Sequence, residues 1–339
     1  MNRTGNRGIA MLGAAVLLLA TPALAEEDLV QDKPPESKQQ DEGYHWFFTP
    51  GVSFAYGHSQ DVVGQPDGHT ITLAATVSTG QSYRKGIHEY RDVLTIKEAF
   101  SRTPVLDEFI KTTDDFKFEA LYLIYLLEWL GPYVRFSLQT QIFESFNVQP
   151  DTVNFNITYL DGSTEDRLGR RYRLTDGWMP LTIRESAGAF AAPYKSEPYN
   201  IEVRAGFGGL HTIASDQFTV SGKDGDQVSI VELDDFNAGA VEIAVGLWGD
   251  LWEKKAAYKA GAEFLIPVVN DDALDRDPGE LTNMEFYAGI TFKLLKWMSL
   301  DYQFKAVKQP QIVDEFQIQN NLLLTIGYSW SDADEKKAE

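Results

Sequence analysis

Cysteine is absent from the 339 residues, histidine occurs five times, and 30 bases stand against 50 acids. Without cysteine there is no disulfide framework, no thiol nucleophile and no acylated N-terminal cysteine of the lipoprotein kind. The formal charge of −20 repels phosphate backbones, which are bound by clustered Lys and Arg, so a nucleic-acid partner is not expected. After the N-terminal segment no stretch reaches the 18 or so consecutive apolar residues of a membrane-spanning helix. Any crossing of a membrane therefore falls to strands.

The N-terminal segment reads as an address. Arg3 and Arg7 precede an apolar run from Ile9 to Ala20, and Ala23-Leu24-Ala25 has the small-x-small form of a cleavage site. Residues 1–25 are expected to be a signal peptide. The alternative, a retained anchor, suffers because the run is shorter than the roughly 20 residues needed to span. Removing Arg3 and Arg7 takes the charge from −20 to −22. Residues 26–43 carry a Pro pair and no apolar periodicity, and are expected to be a disordered leader on the periplasmic side.

From Trp46 onward, apolar and polar residues alternate with the period of two that sends successive side chains to opposite faces. In "PYVRFSLQTQIF", Val134, Phe136, Leu138 and Ile142 oppose Arg135, Ser137, Gln139 and Gln141. The same alternation predicts twelve strands, near 44–58, 69–80, 88–100, 114–127, 132–146, 179–190, 199–213, 236–248, 255–267, 282–294, 297–308 and 319–330. Several exceed the five or six residues usual in soluble sheets and match the roughly ten of a tilted membrane strand. The connections alternate between long and short, with the long ones at 59–68, 101–113, 147–178, 214–235, 268–281 and 309–318. Outer-membrane barrels sort their loops this way. Trp46, Tyr56, Trp129, Tyr133, Trp248, Trp252, Trp297, Tyr328 and Trp330 lie near strand ends, where an aromatic girdle belongs.

The expected fold is all-β, a transmembrane antiparallel up-and-down barrel of about twelve strands over residues 44–330, followed by a charged tail at 331–339. Its partners would be outer-membrane lipid and, during insertion, the barrel-assembly machinery. The competing reading is a soluble periplasmic β-sheet binding protein whose apolar faces meet in a core.

The polar faces assign charges to the lumen. They comprise Lys97, Lys117, Arg135, Arg184, Arg204, Lys259, Lys293 and Lys305, with Glu119, Glu202, Glu242, Glu263, Glu285 and Asp301. Eight cations against six anions predict pairing rather than a field of one sign. Twelve strands lie between a filled interior and an open channel, so a closed or narrowly gated barrel and a small-solute pore both stay possible, and the expected role is a passive pore, a transporter or a structural component of the outer membrane. "TEDRLGRRYRLTDGW" in the longest loop could fold inward as a plug, its arginines meeting lumen carboxylates.

No catalytic residue, cofactor or metal ligand is assigned. His211, followed by Ser215 and Asp216, allows a triad to be imagined for a barrel hydrolase, but nothing in the spacing requires one. "GFGGL" is followed by a strand rather than the helix that a phosphate loop needs. The acidic run "NDDALDRDPGE" lacks the spacing of a calcium loop and reads as a solvated loop. "KDGDQ" reads as an Asp-Gly turn.

The stretches "TTDDFKFEALYLIYLLEWLGP", "RFSLQTQIFESF", "MPLTIRESAGAF" and "YNIEVRAGFGGLHT" resemble a Gram-negative family of outer-membrane barrels catalogued as a domain of unknown function (number 3078). The resemblance runs over roughly residues 45–330. It implies location and fold, and it carries no active site.

Overall fold

The computed structural model describes residues 42–59, 68–106, 108–196, 198–272, 276–310, 313–328 and 330–331. The expected signal peptide, nearly all of the leader and nearly all of the charged tail lie outside these residues.

Twelve strands close into a barrel. In chain order they are β1 (Gly43–Ser59), β2 (Gly68–Lys85), β3 (His88–Arg102), β4 (Ile110–Ile124), β5 (Leu130–Thr140), β8 (Leu181–Lys195), β9 (Asn200–Ile213), β12 (Phe236–Leu251), β13 (Ala256–Asn270), β14 (Asn283–Leu295), β15 (Met298–Gln309) and β16 (Val313–Gly327). Each pairs antiparallel with the next, and β16 returns to β1, helped by the two-residue β17 (Trp330–Ser331). Where β1 and β16 pair, closure removes the sheet edges that a bilayer would leave without hydrogen-bond partners.

Parity along the strands decides what each face meets. On β5, Val134 is 55% exposed and Arg135 only 5%. Phe54, Leu73, Phe207, Ile243 and Leu324 stand outward on other strands and are likewise exposed. A closed barrel with its apolar residues outside and its charges inside is built for lipid. The soluble-core alternative fails here, because the apolar faces do not meet one another.

The short connections gather at one end, and indoles follow them. Trp129 lies between β4 and β5, Trp252 between β12 and β13, and Trp297 between β14 and β15, all exposed. Trp330 stacks on Phe48 at 5.9 Å. The girdle expected at Tyr133 and Trp248 is corrected. Both have lumen parity, and Tyr133 is 2% exposed.

The two longest connections are not loops. β6 (Ser145–Thr158) and β7 (Thr164–Thr175) leave the barrel between β5 and β8, while β10 (Phe218–Asp224) and β11 (Gln227–Glu232) leave it between β9 and β12. They form a separate sheet in the order β10-β11-β6-β7, in which β11 and β6 run parallel. Its buried side chains are Val153, Phe155, Ile157, Tyr172, Leu174, Val228 and Ile230. This sheet corrects the strand expected at 132–146, which ends at Thr140 and restarts as β6. It also corrects the imagined plug: residues 164–168 are exposed and held in the ladder with β6. The Asp-Gly turn joins β10 to β11, with Gly225 at φ 55°, a left-handed value that glycine adopts without strain.

This second sheet, the cap, is tied to the ends of the barrel strands by side chains. Asp114 accepts hydrogen bonds from the backbone N–H groups of Ile142 and Phe143 at 2.7 Å each, where the chain leaves β5. Asp235 does the same for Ala214 at 2.7 Å and Ser215 at 3.0 Å, where it leaves β9. Buried Gln217 accepts from the Asp176 N–H at 2.7 Å and so links the two excursions.

Candidate functional site in the barrel lumen

The interior is layered. Toward the short-turn end, Leu121, Leu123, Tyr125, Tyr133 and Phe190 form an apolar cluster on β4, β5 and β8. Toward the cap, Leu210, Phe236, Ala238, Ala240, Leu265 and Leu281 form a second on β9, β12 and β13 and the link to β14. Between them lies a layer of charge.

Arg135 is the hub. Its Nη2 donates to Glu119 Oε2 at 3.0 Å, while Nη1 reaches Glu263 Oε2 at 3.2 Å and Glu242 Oε2 at 3.3 Å. Tyr133 Oη donates to the other oxygen of Glu242 at 3.2 Å. Arg184 bonds Glu263 at 3.3 Å, and Arg204 lies 3.8 Å from Glu202 and 4.0 Å from Glu119. Arg91 pairs with Glu89 on its own strand and reaches Glu202 at 3.6 Å. β5 and β12 are separated by two strands around the wall, and β3 and β9 by three. These pairs therefore cross the lumen as chords.

The remaining charges fall around this layer. Lys305 pairs with Glu285 at 3.3 Å, and Ser299 Oγ donates to buried Asp301 at 2.8 Å. Lys259 sits 5.7 Å from the ring centre of Tyr287. Lys117 has lumen parity between Thr95 and Gln139, and buried Lys97 lies opposite Asp115 and Thr76. Lys293 has the same parity, but lies exposed near the short-turn end.

Sequence reasoning passed over Glu89, Arg91 and Asp115. All three share the odd parity of Lys97 or Lys117 and fall inside the strands expected at 88–100 and 114–127, so following the alternation along the whole of each strand finds them. Tyr133 is among the residues expected in the girdle, and Tyr287 receives no role from the sequence. The signal for these lies on the facing strands, in the glycines that leave room for them. "GFGGL" belongs to β9, where Gly206 and Gly208 face inward and Phe207 outward, 70% exposed. A Cβ on Gly206 would stand 2.7 Å from the Tyr133 hydroxyl oxygen, and one on Gly261 2.3 Å from that of Tyr287.

The imagined triad is not assembled. His211 has outward parity, its Nε2 lying 3.0 Å from Glu185 Oε1 and its Nδ1 2.9 Å from Asn237 Oδ1. Ser215 instead donates to Asp235. In the acidic run, Arg276 forms a fork with Asp272, the closest contact being 2.6 Å, and Asp271 accepts from Asn237. Asp275 lies outside the described residues. Among the described residues no group of three His, Asp or Glu side chains could hold a metal ion.

No protein-family profile matches the chain, and no curated protein does. Among solved structures, an outer membrane channel from Pseudomonas putida F1 aligns at 9% identity over 89% of this chain and 100% of that one, with a TM-score of 0.40. The translocator domain of the autotransporter NalP from Neisseria meningitidis aligns at 10% identity over 84% and 88%, with a TM-score of 0.37. The β domain of a Bordetella autotransporter, BrkA, aligns at 11% identity over 86% and 99%, with a TM-score of 0.33. The barrel assignment stands on this chain's own closed ladder.

Proposed function

We propose that the protein is an outer-membrane β-barrel of the passive-transport type, a narrow conduit constricted by its own ion pairs. The observation that carries this reading is the chord layer around Arg135. Arg135 and Glu242 are 5% and 1% exposed, so side chains rather than a wide water column fill the middle of the lumen. Paired charges of both signs lower the cost of bringing a polar solute past an apolar wall, and select weakly by sign.

The outer membrane is the compartment that suits a closed barrel with an expected signal peptide. The short turns would face the periplasm and the cap the cell exterior. Outer-membrane lipid and the barrel-assembly machinery are the partners of this reading, and membership of the resembled Gram-negative family belongs to it too. No enzymatic role is proposed. His211 faces outward and is hydrogen-bonded to a carboxylate and an amide, with no hydroxyl at its ring nitrogens.

Single-channel recording in planar bilayers tests the conduit. The native protein should conduct in small steps, and the double variant Arg135→Ser, Glu242→Ser in larger ones. A folded barrel with no conductance in either form would refute transport and leave a structural role.

A further inference from the structure

The wall is not equally closed all round. β1 is paired with β2 along its whole length, from Gly43 to Ser59. Against the closing strands it is paired only at Phe47–Phe48 with β17 and at Gly51–Phe54 with β16. Among the described residues no β1–β16 pairing continues past Phe54 and Leu324. Yet both strands run on toward the cap end, β1 to Ser59 and β16 back to Val313, each still paired on its other side. At roughly 3.4 Å per residue, the unpaired part of β1 spans about 15 Å along the strand.

What fills the seam is apolar contact. Leu323, 4% exposed, packs inside the wall with Ala74 and Ala99, and Ala55 lies against them. Outside stand Phe54, Tyr56 and Leu322, all half exposed or more. At the level of Ala55 and Leu323 the seam therefore has an apolar lining on both faces, while nearer the cap its two edges carry Gly57, His58 and Ser59 on one strand and Gln319, Asn320 and Asn321 on the other, with unpaired peptide groups between them. Peptide groups left bare in hydrocarbon cost several kcal/mol each, so an open edge persists only where a polar group can reach it.

We propose that the cap-side half of the β1–β16 seam is a lateral opening between the lumen and the outer leaflet, and that it passes single-chain amphiphiles. The polar head would take the hydrogen bonds offered by the two edges. The tail would slide between Leu323 and Ala55 inside and Phe54 and Leu322 outside. Among the described residues no ladder hydrogen bond holds this half shut, so van der Waals contact is what has to yield. The inference rests on the membrane-spanning reading and deepens it by naming a solute class and a route.

The absence of cysteine makes the test free of background. Three single variants, Phe54→Cys, Ala55→Cys and Thr182→Cys, are labelled with a small thiol-reactive fluorophore and reconstituted in phospholipid vesicles. A brominated single-chain fatty acid is added as quencher. Position 54 faces outward beside the seam, position 55 faces the lumen beside it, and position 182 faces the lumen from a wall paired on both sides. The expected result is quenching at 54 and 55 by similar factors, with position 182 spared. Quenching at 54 alone means a sealed seam and overturns the opening, and quenching at all three means entry without the seam and overturns it equally. No quenching at 54 would instead overturn the membrane-spanning reading itself.

Discussion

Arg135 Nη1 on β5 lies 3.2 Å from Glu263 Oε2 on β13, a contact across the lumen between strands that are not neighbours. The same guanidinium serves Glu119 and Glu242, so one side chain is shared by three carboxylates, with Arg184 and Arg204 adding positive charge at Glu263 and Glu119. Removing one partner of such a set leaves uncompensated charge, typically at a cost of about 3–5 kcal/mol. Arg135→Met is expected to lower the temperature at which the folded, fast-migrating electrophoretic band is lost. Adding Glu242→Gln and Glu263→Gln should recover much of that loss. An unchanged unfolding temperature in Arg135→Met would show that water, not the arginine, balances these carboxylates.

Gly206 makes a second claim on the same region. Its missing side chain leaves room for Tyr133, and a Cβ there would also stand 2.5 Å from the Ala187 carbonyl oxygen. Backbone cannot yield as a flexible side chain can, and overpacking of this kind costs about 1–3 kcal/mol. Gly206→Ala should therefore destabilise the barrel, by the same electrophoretic readout, whereas Gly222→Ala in the cap, where a Cβ would meet nothing within 4 Å, should be close to neutral.

The wall was legible because its rule is local. Alternation at Val134, Arg135, Phe136 and Ser137 states which face is lipid and which is lumen, and the lumen charges follow from parity alone. Long-range choices were not legible. Nothing near Arg135 announces Glu263, which lies 128 residues on. The cap went unread for a different reason. "VNFNITY" and "QVSIV" do alternate, with Val153, Phe155 and Ile157 buried in one and Val228 and Ile230 in the other, but beside its own hairpin partner each strand pairs with the other across 69 or more residues of chain, a parallel pairing nothing local announces. The partial seam is hidden as well, because β1 and β16 both alternate well past the point where their pairing stops.

Acid should loosen the cap at its hinge. The Ala214 N–H, with the Ser215 N–H and hydroxyl, holds the Asp235 carboxyl below its ordinary 3.8. A carboxyl depressed on folding contributes stability that is fully present above its unfolded pKa and disappears as pH falls through the folded one. The exposed Asp166, hydrogen-bonded by Asn156 and Asn154, is shifted the same way. Pepsin digestion near pH 3, compared with an acid-active protease at pH 5, should cut around residues 214–217 only in the more acidic condition. Asp235→Asn keeps an acceptor but cannot titrate, and should remove the difference at this hinge. Equal cleavage in the native protein at both values would show that Asp235 does not hold it.

Orientation follows from the sorting of connections and can be read on intact cells. The β6–β7 hairpin turns at Asp161–Ser163, an exposed tip in which Gly162 takes φ 80°, and such tips tolerate insertion. The turn between β12 and β13 carries Trp252, Glu253 and Lys254 at the opposite end of the barrel. An epitope inserted after Gly162 should bind antibody on whole cells, while one inserted after Glu253 should bind only after permeabilisation. The reverse pattern would invert the barrel and place the cap in the periplasm. Labelling of both sites on whole cells would mean that the short-turn end is not enclosed by the outer membrane at all.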